Sequence, residues 1–160
     1  TRDAVGAWAR ARAARERNTI LIVPNAGADA VTGPMCGPTI FRSSFSNWQT
    51  AYPMGVVAAK QEGKKNAMTI TWKYAAGEES VNGFKEGFEK NGGKVNKQLT
   101  VPFPNVEFQA LLTEIAAAKP DAVFAFFAIL LSRSNLRHRE RNNCKAPLFP
   151  VNVIVLQFTG

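Results

Sequence analysis

The alternation of apolar and polar residues is clearest from Asn66 to Asn91, where it predicts a strand, a loop and a helix. Ala67–Thr71 is a short run of apolar and β-branched residues, which is typical of a buried strand. Apolar side chains then recur at the three- and four-residue spacing of one helix face, at Val81, Phe84 and Phe88. Gly92-Gly93 follows and supplies residues that adopt positive φ where a helix ends. The intervening loop Trp72–Gly77 is a candidate site, because ligands of open α/β sheets bind at the carboxyl ends of strands.

Strand and helix patterns alternate from Asn18 to Ala128. The N-terminal predictions are a helix over Ala4–Glu16, a strand at Ile20–Val23 buried on both faces, a short strand at Thr39–Arg42 and a helix over Trp48–Lys60 with Pro53 in its first turns. The C-terminal predictions are a strand at Lys97–Val101, a helix after an Asn105 N-cap with an apolar stripe of Phe108, Leu111, Leu112 and Ile115, and a strand at Ala122–Phe127. This alternation predicts an α/β fold, a parallel sheet with helices on its faces.

A loop of small residues follows the first strand, because Pro24 cannot donate to a strand ladder and stops it. Asn25, Ala26, Gly27 and Ala28 form this loop and precede Asp29. Their small side chains would let a ligand approach backbone N–H groups. Taken alone, the loop is more typical of an ordinary turn.

The net charge of +8 is concentrated at the two ends of the 160-residue chain. Thr1–Arg17 has five arginines against two acidic residues, and Arg133–Lys145 has four arginines and a lysine against one glutamate. A basic nucleic-acid-binding module would depend on these ends alone, and solvated helix faces are the favoured interpretation. The middle of the chain is nearly neutral.

No constellation of catalytic or metal-ligating residues stands out. Cys36 and Cys144 form no CxxC motif, and His138 lacks metal-ligand spacing to them, so no metal, no cofactor and no catalytic residue is predicted. Two unrelated thiols are favoured over a disulfide. Glu78 and Glu79 are interpreted as helix N-terminal caps rather than catalysts. A flavodoxin-like enzyme or sensor domain remains an alternative, although no phosphate-cradling glycine motif is present.

Four stretches together resemble the branched-chain amino-acid type of periplasmic substrate-binding protein, which serves ABC transporters. They are Ile22–Asp29, Phe41–Ser44, Trp72–Val95 and Pro104–Phe127, in this order and spacing. The likeness is greatest to the subgroup that takes up aromatic acids, and it covers about residues 15–128. It implies a type I periplasmic binding protein fold, of which this chain would be a fragment.

The resemblance also implies a division of the chain. Residues 1–47 would be the remnant of a first lobe with its crossover, and residues 48–128 an α/β unit of the second lobe. Residues 129–160 form a tail of uncertain assignment that does not resemble the family. We hypothesise that the tail reflects a frame change, a truncation or a misassigned sequence. Thr1 in place of a methionine indicates a processed chain or a fragment.

The resemblance further implies a ligand site between two lobes, with no catalysis. The loop Asn25–Ala28 would serve the first lobe, and Asn47 would lie near the ligand's amino group, where amino-acid binders often have an acidic residue. Trp72, Tyr74 and Ala76 would belong to the second lobe, with the two rings favouring an apolar or aromatic group. The expected partners are a small organic acid or amino acid and an ABC permease. We expect no nucleic acid, a monomer and a periplasmic location.

Overall fold

The structure, a computed structural model, describes residues 4–102, 108–127 and, as backbone, 153–157. In that part of the chain the helices are α1 (Ala4–Glu16), α2 (Asn47–Lys60), α3 (Ala75–Glu89) and α4 (Gln109–Ala118), with a short 3₁₀ helix at Asp29–Val31. The strands are β1 (Leu21–Val23), β2 (Ile40–Arg42), β3 (Asn66–Trp72), β4 (Lys94–Val101), β5 (Ala122–Phe126) and β6 (Val153–Gln157). None of these helices is long and apolar enough to cross a membrane.

The N-terminal sheet is a parallel pair, β1 beside β2, with Ile22 opposite Phe41. Helix α1 covers one face of this pair, where Ala11, Val23 and Ile40 are buried together. The prediction that the first strand is buried on both faces is wrong for the described residues, since Ile20 is 69% exposed and Ile22 is 60% exposed. In the described part of the chain α1 packs on one face of this pair, and the side chains of Ile20 and Ile22, which point to the other face, remain in solvent.

The second sheet has the order β4-β3-β5-β6. Strands β4 and β5 both run parallel to β3, as the strand–helix alternation predicts. Strand β6 is antiparallel to β5. The parallel part of the α/β fold is therefore confirmed, and the C-terminal strand joins it in the opposite direction.

Alternate residues of β3 and β5 enter two different cores, as the two-residue period of a strand requires. The first core lies under α2 and α3 and contains Phe84, Phe88 and Phe124. The second core lies under α4 and contains Met68, Trp72, Val101 and Ile115 among others. The predicted apolar face of α3 is confirmed, since both of its phenylalanines are fully buried.

Glycines let the backbones of α2 and α3 touch. A Cβ atom on Gly87 would lie 2.2 Å from the carbonyl oxygen of Tyr52, and one on Gly55 would meet α3 as closely. Real Cβ atoms do not approach backbone atoms so closely, so only glycine fits at these positions. The contact fixes α3 against α2, and with it the residues that begin both helices.

A carboxylate aligns the amino ends of two parallel strands. Asp121, directly before β5, accepts hydrogen bonds at Oδ2 from the backbone N–H groups of Lys65 (3.1 Å) and Asn66 (2.9 Å). Its own N–H donates to the carbonyl of Asn66 at 3.0 Å. These contacts set β5 in register with β3.

The structure differs from two details of the predicted helices. Pro53 is the seventh of the 14 residues of α2, so it lies in the middle of that helix and not in its first turns. In the stripe before and within α4, Ile115 is buried whereas Leu112 is 37% exposed. The Asn105 N-cap, the segment Arg133–Lys145 and most of the tail lie outside the described residues.

Candidate functional site

The candidate site is built where the loop after β1 meets the first residues of α2 and α3. This loop, Asn25–Asp29, lies at the carboxyl end of β1, and α3 begins directly after the loop that follows β3. Carboxyl ends of parallel strands are the usual place for ligands in α/β folds. The geometry of the site rests on Arg42, Asn47 and Glu79.

Arg42, at the end of β2, holds the carbonyl side of the loop. Its guanidinium nitrogens Nη1 and Nη2 donate to the carbonyl oxygens of Ala26 and Ala28, and its Nε donates to Thr32 Oγ1 at 3.2 Å. Partial burial lowers the pKa of Arg42 from its usual value, and the guanidinium stays charged. One planar side chain therefore orients two peptide groups of the loop at once.

Asn47, the first residue of α2, packs against the same loop. A capping box between Ser46 and Gln49 starts the helix, and the N–H of Asn47 donates to the carbonyl of Gly27 at 2.8 Å. A Cβ on Gly27 would lie 2.2 Å from Asn47 Oδ1, so the Asn47 side chain can pack here only because Gly27 has no side chain. Asp29 Oδ1 accepts from the N–H of Trp48 at 3.1 Å and completes the junction.

Glu79 reaches this junction from α3. Asn47 Nδ2 donates to Glu79 Oε2 at 2.7 Å. The interpretation of Glu79 as a helix cap is therefore wrong, because its side chain accepts from the first residue of α2. Its neighbour Glu78 is exposed.

Burial raises the pKa of the Glu79 carboxyl above its usual value, although the donors from Asn47 and Asp29 oppose the shift. The negative charge of Asp29 raises the pKa further, and the positive charge of Arg42 lowers it. The site thus combines two carboxylates and one guanidinium within a small, partly buried region.

Trp72 lies in the second core and is only 4% exposed. Its indole makes edge contacts with the rings of Tyr74 (centroids 6.3 Å apart) and Phe127 (5.6 Å apart). The structure thus places Trp72 among packed side chains of the sheet.

Tyr74 is partly buried and contacts both cores. Its ring stacks on Phe126 with centroids 6.3 Å apart, and burial raises the pKa of Tyr74 to about 12, so the phenol is protonated at neutral pH. Ala76, in the first turn of α3, is partly buried against the first core. A Cβ on Gly77 would meet Thr71 Oγ1 at 2.3 Å, so this glycine lets α3 start close to β3.

The predicted site residues thus form two groups. The first group is Asn47 and the loop Asn25–Ala28, which Asn47 contacts at Gly27. In this loop Ala26 and Ala28 are buried and Asn25 is exposed. Tyr74 contacts Trp72 in the second group, and α3 connects the groups because it begins beside Tyr74 and carries Glu79. Ligand contact by any of these residues stays a prediction.

Sequence reasoning did not find Arg42 and Glu79. Both lie where a strand ends or a helix begins, which is the signal that could have marked them. Their partners are distant along the chain, since Asn47 and Glu79 are 32 positions apart, so spacing alone does not reveal the contacts.

No cluster of three or more metal-ligating side chains occurs in the residues that the structure describes. Cys36 there has an exposed, free thiol, and Cys144 lies outside the described ranges. A hollow of about 280 Å³ lies between α3 and the strands β3 and β4, lined in part by Thr69, Thr71 and Thr100. It includes none of the predicted site residues.

Comparison with known proteins identifies the family of this chain. The family model described as "Periplasmic binding protein" matches residues 3–129. A Leu/Ile/Val-binding protein homolog 6 from Brucella abortus (strain 2308) is 29% identical over 112 residues, which are 70% of this chain and 28% of that protein.

Solved structures agree with this match. A solute binding protein of an ABC transporter from R. palustris, in complex with benzoate, has 52% identity and a TM-score of 0.72, over 76% of this chain and 34% of that one. A solute binding protein from Rhodopseudomonas palustris BisB5, in complex with 3,4-dihydroxy benzoic acid, has 30% identity and a TM-score of 0.76, over 88% and 38%. The chain therefore spans about a third of the length of these relatives. Since the family model matches most of its residues, the chain belongs to the periplasmic binding proteins, with their type I α/β fold.

Proposed function

We propose that the chain is part of the solute-binding component of an ABC uptake system, which captures a small organic acid without catalysis. The ligand is an aromatic carboxylate or a branched-chain amino acid. The observation that supports this most strongly is the 52% identity, over 76% of this chain, to a solute binding protein in complex with benzoate. We favour the aromatic carboxylate, for the physical reasons that follow.

Backbone N–H groups of the loop Asn25–Asp29 would bind the carboxylate of the ligand. In a trans peptide the C=O and N–H groups point in opposite directions. The carbonyl of Ala26 points to Arg42, so the N–H of Gly27 points away from that guanidinium. The carbonyl of Gly27 points to the N–H of Asn47, so the N–H of Ala28 points away from α2. In the described residues neither N–H group donates to another backbone carbonyl, and we propose that both donate to the ligand's carboxylate.

The residue at position 47 disfavours an amino group beside this loop. Amino-acid binders of the family often have an acidic residue there, whereas this chain has a neutral asparagine whose amide is bound to Glu79. A benzoate has no ammonium group and needs no acidic partner at this position.

The family suggests how the chain divides into lobes, which residues face the apolar side of the ligand and where the protein acts. Residues 1–47 form part of a first lobe, and residues 48–128 form an α/β unit of the second. Tyr74 and Ala76 line the ligand's apolar side, with Trp72 supporting Tyr74 from the core. The protein acts as a monomer in the periplasm and delivers its ligand to a membrane permease through closure of the two lobes.

Isothermal titration calorimetry of the 160-residue chain tests the proposal. The ligands are benzoate, 4-hydroxybenzoate, leucine and valine, and benzamide serves as the uncharged control of the same shape. We expect saturable binding of benzoate, a raised melting temperature, and binding of benzamide at least tenfold weaker. Absence of saturable binding across the acids and amino acids would overturn the proposal for this chain.

A further inference from the structure

Glu79 connects α3 to the loop after β1 through Asn47. It belongs to α3 and accepts from Asn47 Nδ2 at the start of α2, and the N–H of Asn47 donates to the carbonyl of Gly27 in that loop. Arg42 of β2 donates to the carbonyls of Ala26 and Ala28 in the same loop. The loop is therefore held by a guanidinium from β2 and, through Asn47, by a carboxylate from α3.

The position of Glu79 along α3 matters for the candidate site. Helix α3 begins at Ala75, directly after Tyr74, and Glu79 lies one turn further on. The helix is rigid, and the glycine contacts described above fix it against α2. Helix α3 therefore connects the contact that Glu79 makes with Asn47 to the position of Tyr74 at its own start.

The Glu79 carboxylate is partly buried, and this burial raises its pKa. Its hydrogen bond with the Asn47 amide, 2.7 Å long, is charge-assisted and therefore stronger than the bond that a neutral side chain would form in its place.

We propose that Glu79 is a positioning residue. Its hydrogen bond with Asn47, which in turn donates to Gly27, holds the loop Asn25–Ala28 at the distance from Tyr74 that an aromatic carboxylate requires. This inference rests on the proposed function and names the residue on which the width of the site depends. It also assigns Asn47 a new part, because its Nδ2 amide serves Glu79 and not the ligand. The N–H groups of Gly27 and Ala28 then remain as the donors to the ligand.

Exchange of the donor and acceptor tests this bridge. Glu79→Gln replaces a charge-assisted hydrogen bond with a weaker neutral one, and Asn47→Asp places two carboxylates opposite each other. In the double variant the glutamine amide can donate to the new carboxylate at position 47. We expect each single variant to bind benzoate at least tenfold more weakly by calorimetry, and the double variant to recover to within about threefold of the wild type.

Two controls separate positioning from general stability. Glu78→Gln removes the adjacent exposed carboxylate and should leave the benzoate Kd within twofold of the wild type. Amide ¹H–¹⁵N spectra should show Gly27 and Ala28 shifting downfield on benzoate addition in the wild type and the double variant. If the single variants bound benzoate weakly only because they were less stable, the double variant would not recover these shifts.

The outcomes are distinguishable. If benzoate binds the wild type and both single variants equally, or if the double variant is no better than the single ones, the bridge is not a positioning device and the proposed function stands. If benzoate binds with no shift at Gly27 or Ala28, the assigned donors are wrong. If the wild type binds no acid at all, the proposed function fails and this inference fails with it.

Discussion

A Cβ atom on Gly55 would lie 2.2 Å from the carbonyl oxygen of Phe84 and 2.6 Å from the backbone nitrogen of Phe88. Backbone atoms cannot move aside as a flexible side chain does. We expect Gly55→Ala to push α2 and α3 apart and to lower the free energy of unfolding by about 2 kcal/mol, despite the better helix propensity of alanine. Urea denaturation followed by circular dichroism measures this change.

The matched control for this helix contact is Gly37→Ala. A Cβ there would meet the side chain of Arg15 at 3.5 Å, which is an ordinary van der Waals distance. Its effect on unfolding should stay within about 0.5 kcal/mol, as is usual for substitutions outside packed regions. Equal effects of the two substitutions would show that α2 and α3 are not in backbone contact.

Two buried threonines of β3 should respond in opposite ways to the same change. Thr71 Oγ1 donates to the carbonyl of Phe126 at 2.9 Å, whereas Thr69 Oγ1 is buried with no hydrogen-bond partner in the described residues. Replacing a hydroxyl by a methyl group removes a hydrogen bond in the first case and an unsatisfied group in the second. We expect Thr71→Val to destabilise the fold by about 1 kcal/mol and Thr69→Val to stabilise it by a similar amount.

Thermal melting of the two threonine variants checks this. A difference of about 2 kcal/mol between them corresponds to roughly 4–8 °C in melting temperature for a chain of this size. Both residues lie on the same face of the same strand, so each serves as the other's control. Destabilisation by Thr69→Val would mean that its hydroxyl has a partner, such as a water in the adjoining hollow.

Arg42→Lys should weaken benzoate binding. A lysine ammonium keeps the positive charge but cannot bridge two carbonyl groups as the planar guanidinium does. The peptide groups of Ala26 and Ala28 would then rotate more freely, and we expect the benzoate Kd to rise at least tenfold. Calorimetry measures the change.

Arg12→Lys is the control for the guanidinium, because Arg12 forms an exposed pair with Glu16 on α1. This substitution should leave the benzoate Kd unchanged. The role of Arg42 in orienting the loop is contradicted if Arg42→Lys also binds benzoate as the wild type does.

Asp121 should contribute to stability in a pH-dependent way. The N–H donors of Asn66 and Lys65 hold the pKa of the Asp121 carboxyl below its usual value. A carboxyl with a depressed pKa in the folded state stabilises above its unfolded pKa, near 3.8 here, and this contribution is lost as pH falls through the folded value. Asp121→Asn should therefore lower the melting temperature at pH 7.

The difference in melting temperature between Asp121→Asn and the wild type should shrink as the pH is taken from about 5 to 2. Melting curves across this range measure it. Asp3→Asn, at a residue near the N-terminus, is a suitable reference for the general effect of losing one carboxylate. A pH-independent difference would show that Asp121 acts without its charge.

Much of the fold follows from local patterns. The residues Val81, Phe84 and Phe88 predict their own burial because a helix repeats every 3.6 residues, and the structure confirms it. The parallel pairing of β3 with β4 and β5 follows from the alternation of strands and helices. The position of Pro53 within α2 was predicted wrongly, because the local preference of proline disfavours the middle of a helix. Packing overrides this preference in α2.

The candidate site was less predictable. Loop residues Asn25–Ala28 stand out by their small size, and Asn47 by the family resemblance. The Glu79 carboxylate acts through contacts with residues far away in sequence, which no period or spacing encodes. Trp72 illustrates the converse, because an aromatic residue at the end of a strand can face a ligand or the core, and here it is packed in the core.

The contact of Asp121 with the first residues of β3 has a consequence for how such a domain can diversify. Register is decided at the amino ends of the strands, far from the loops that follow their carboxyl ends. Those loops can then differ in length and composition while the strands stay aligned. A new specificity within this architecture would need changes at one rim of the sheet only.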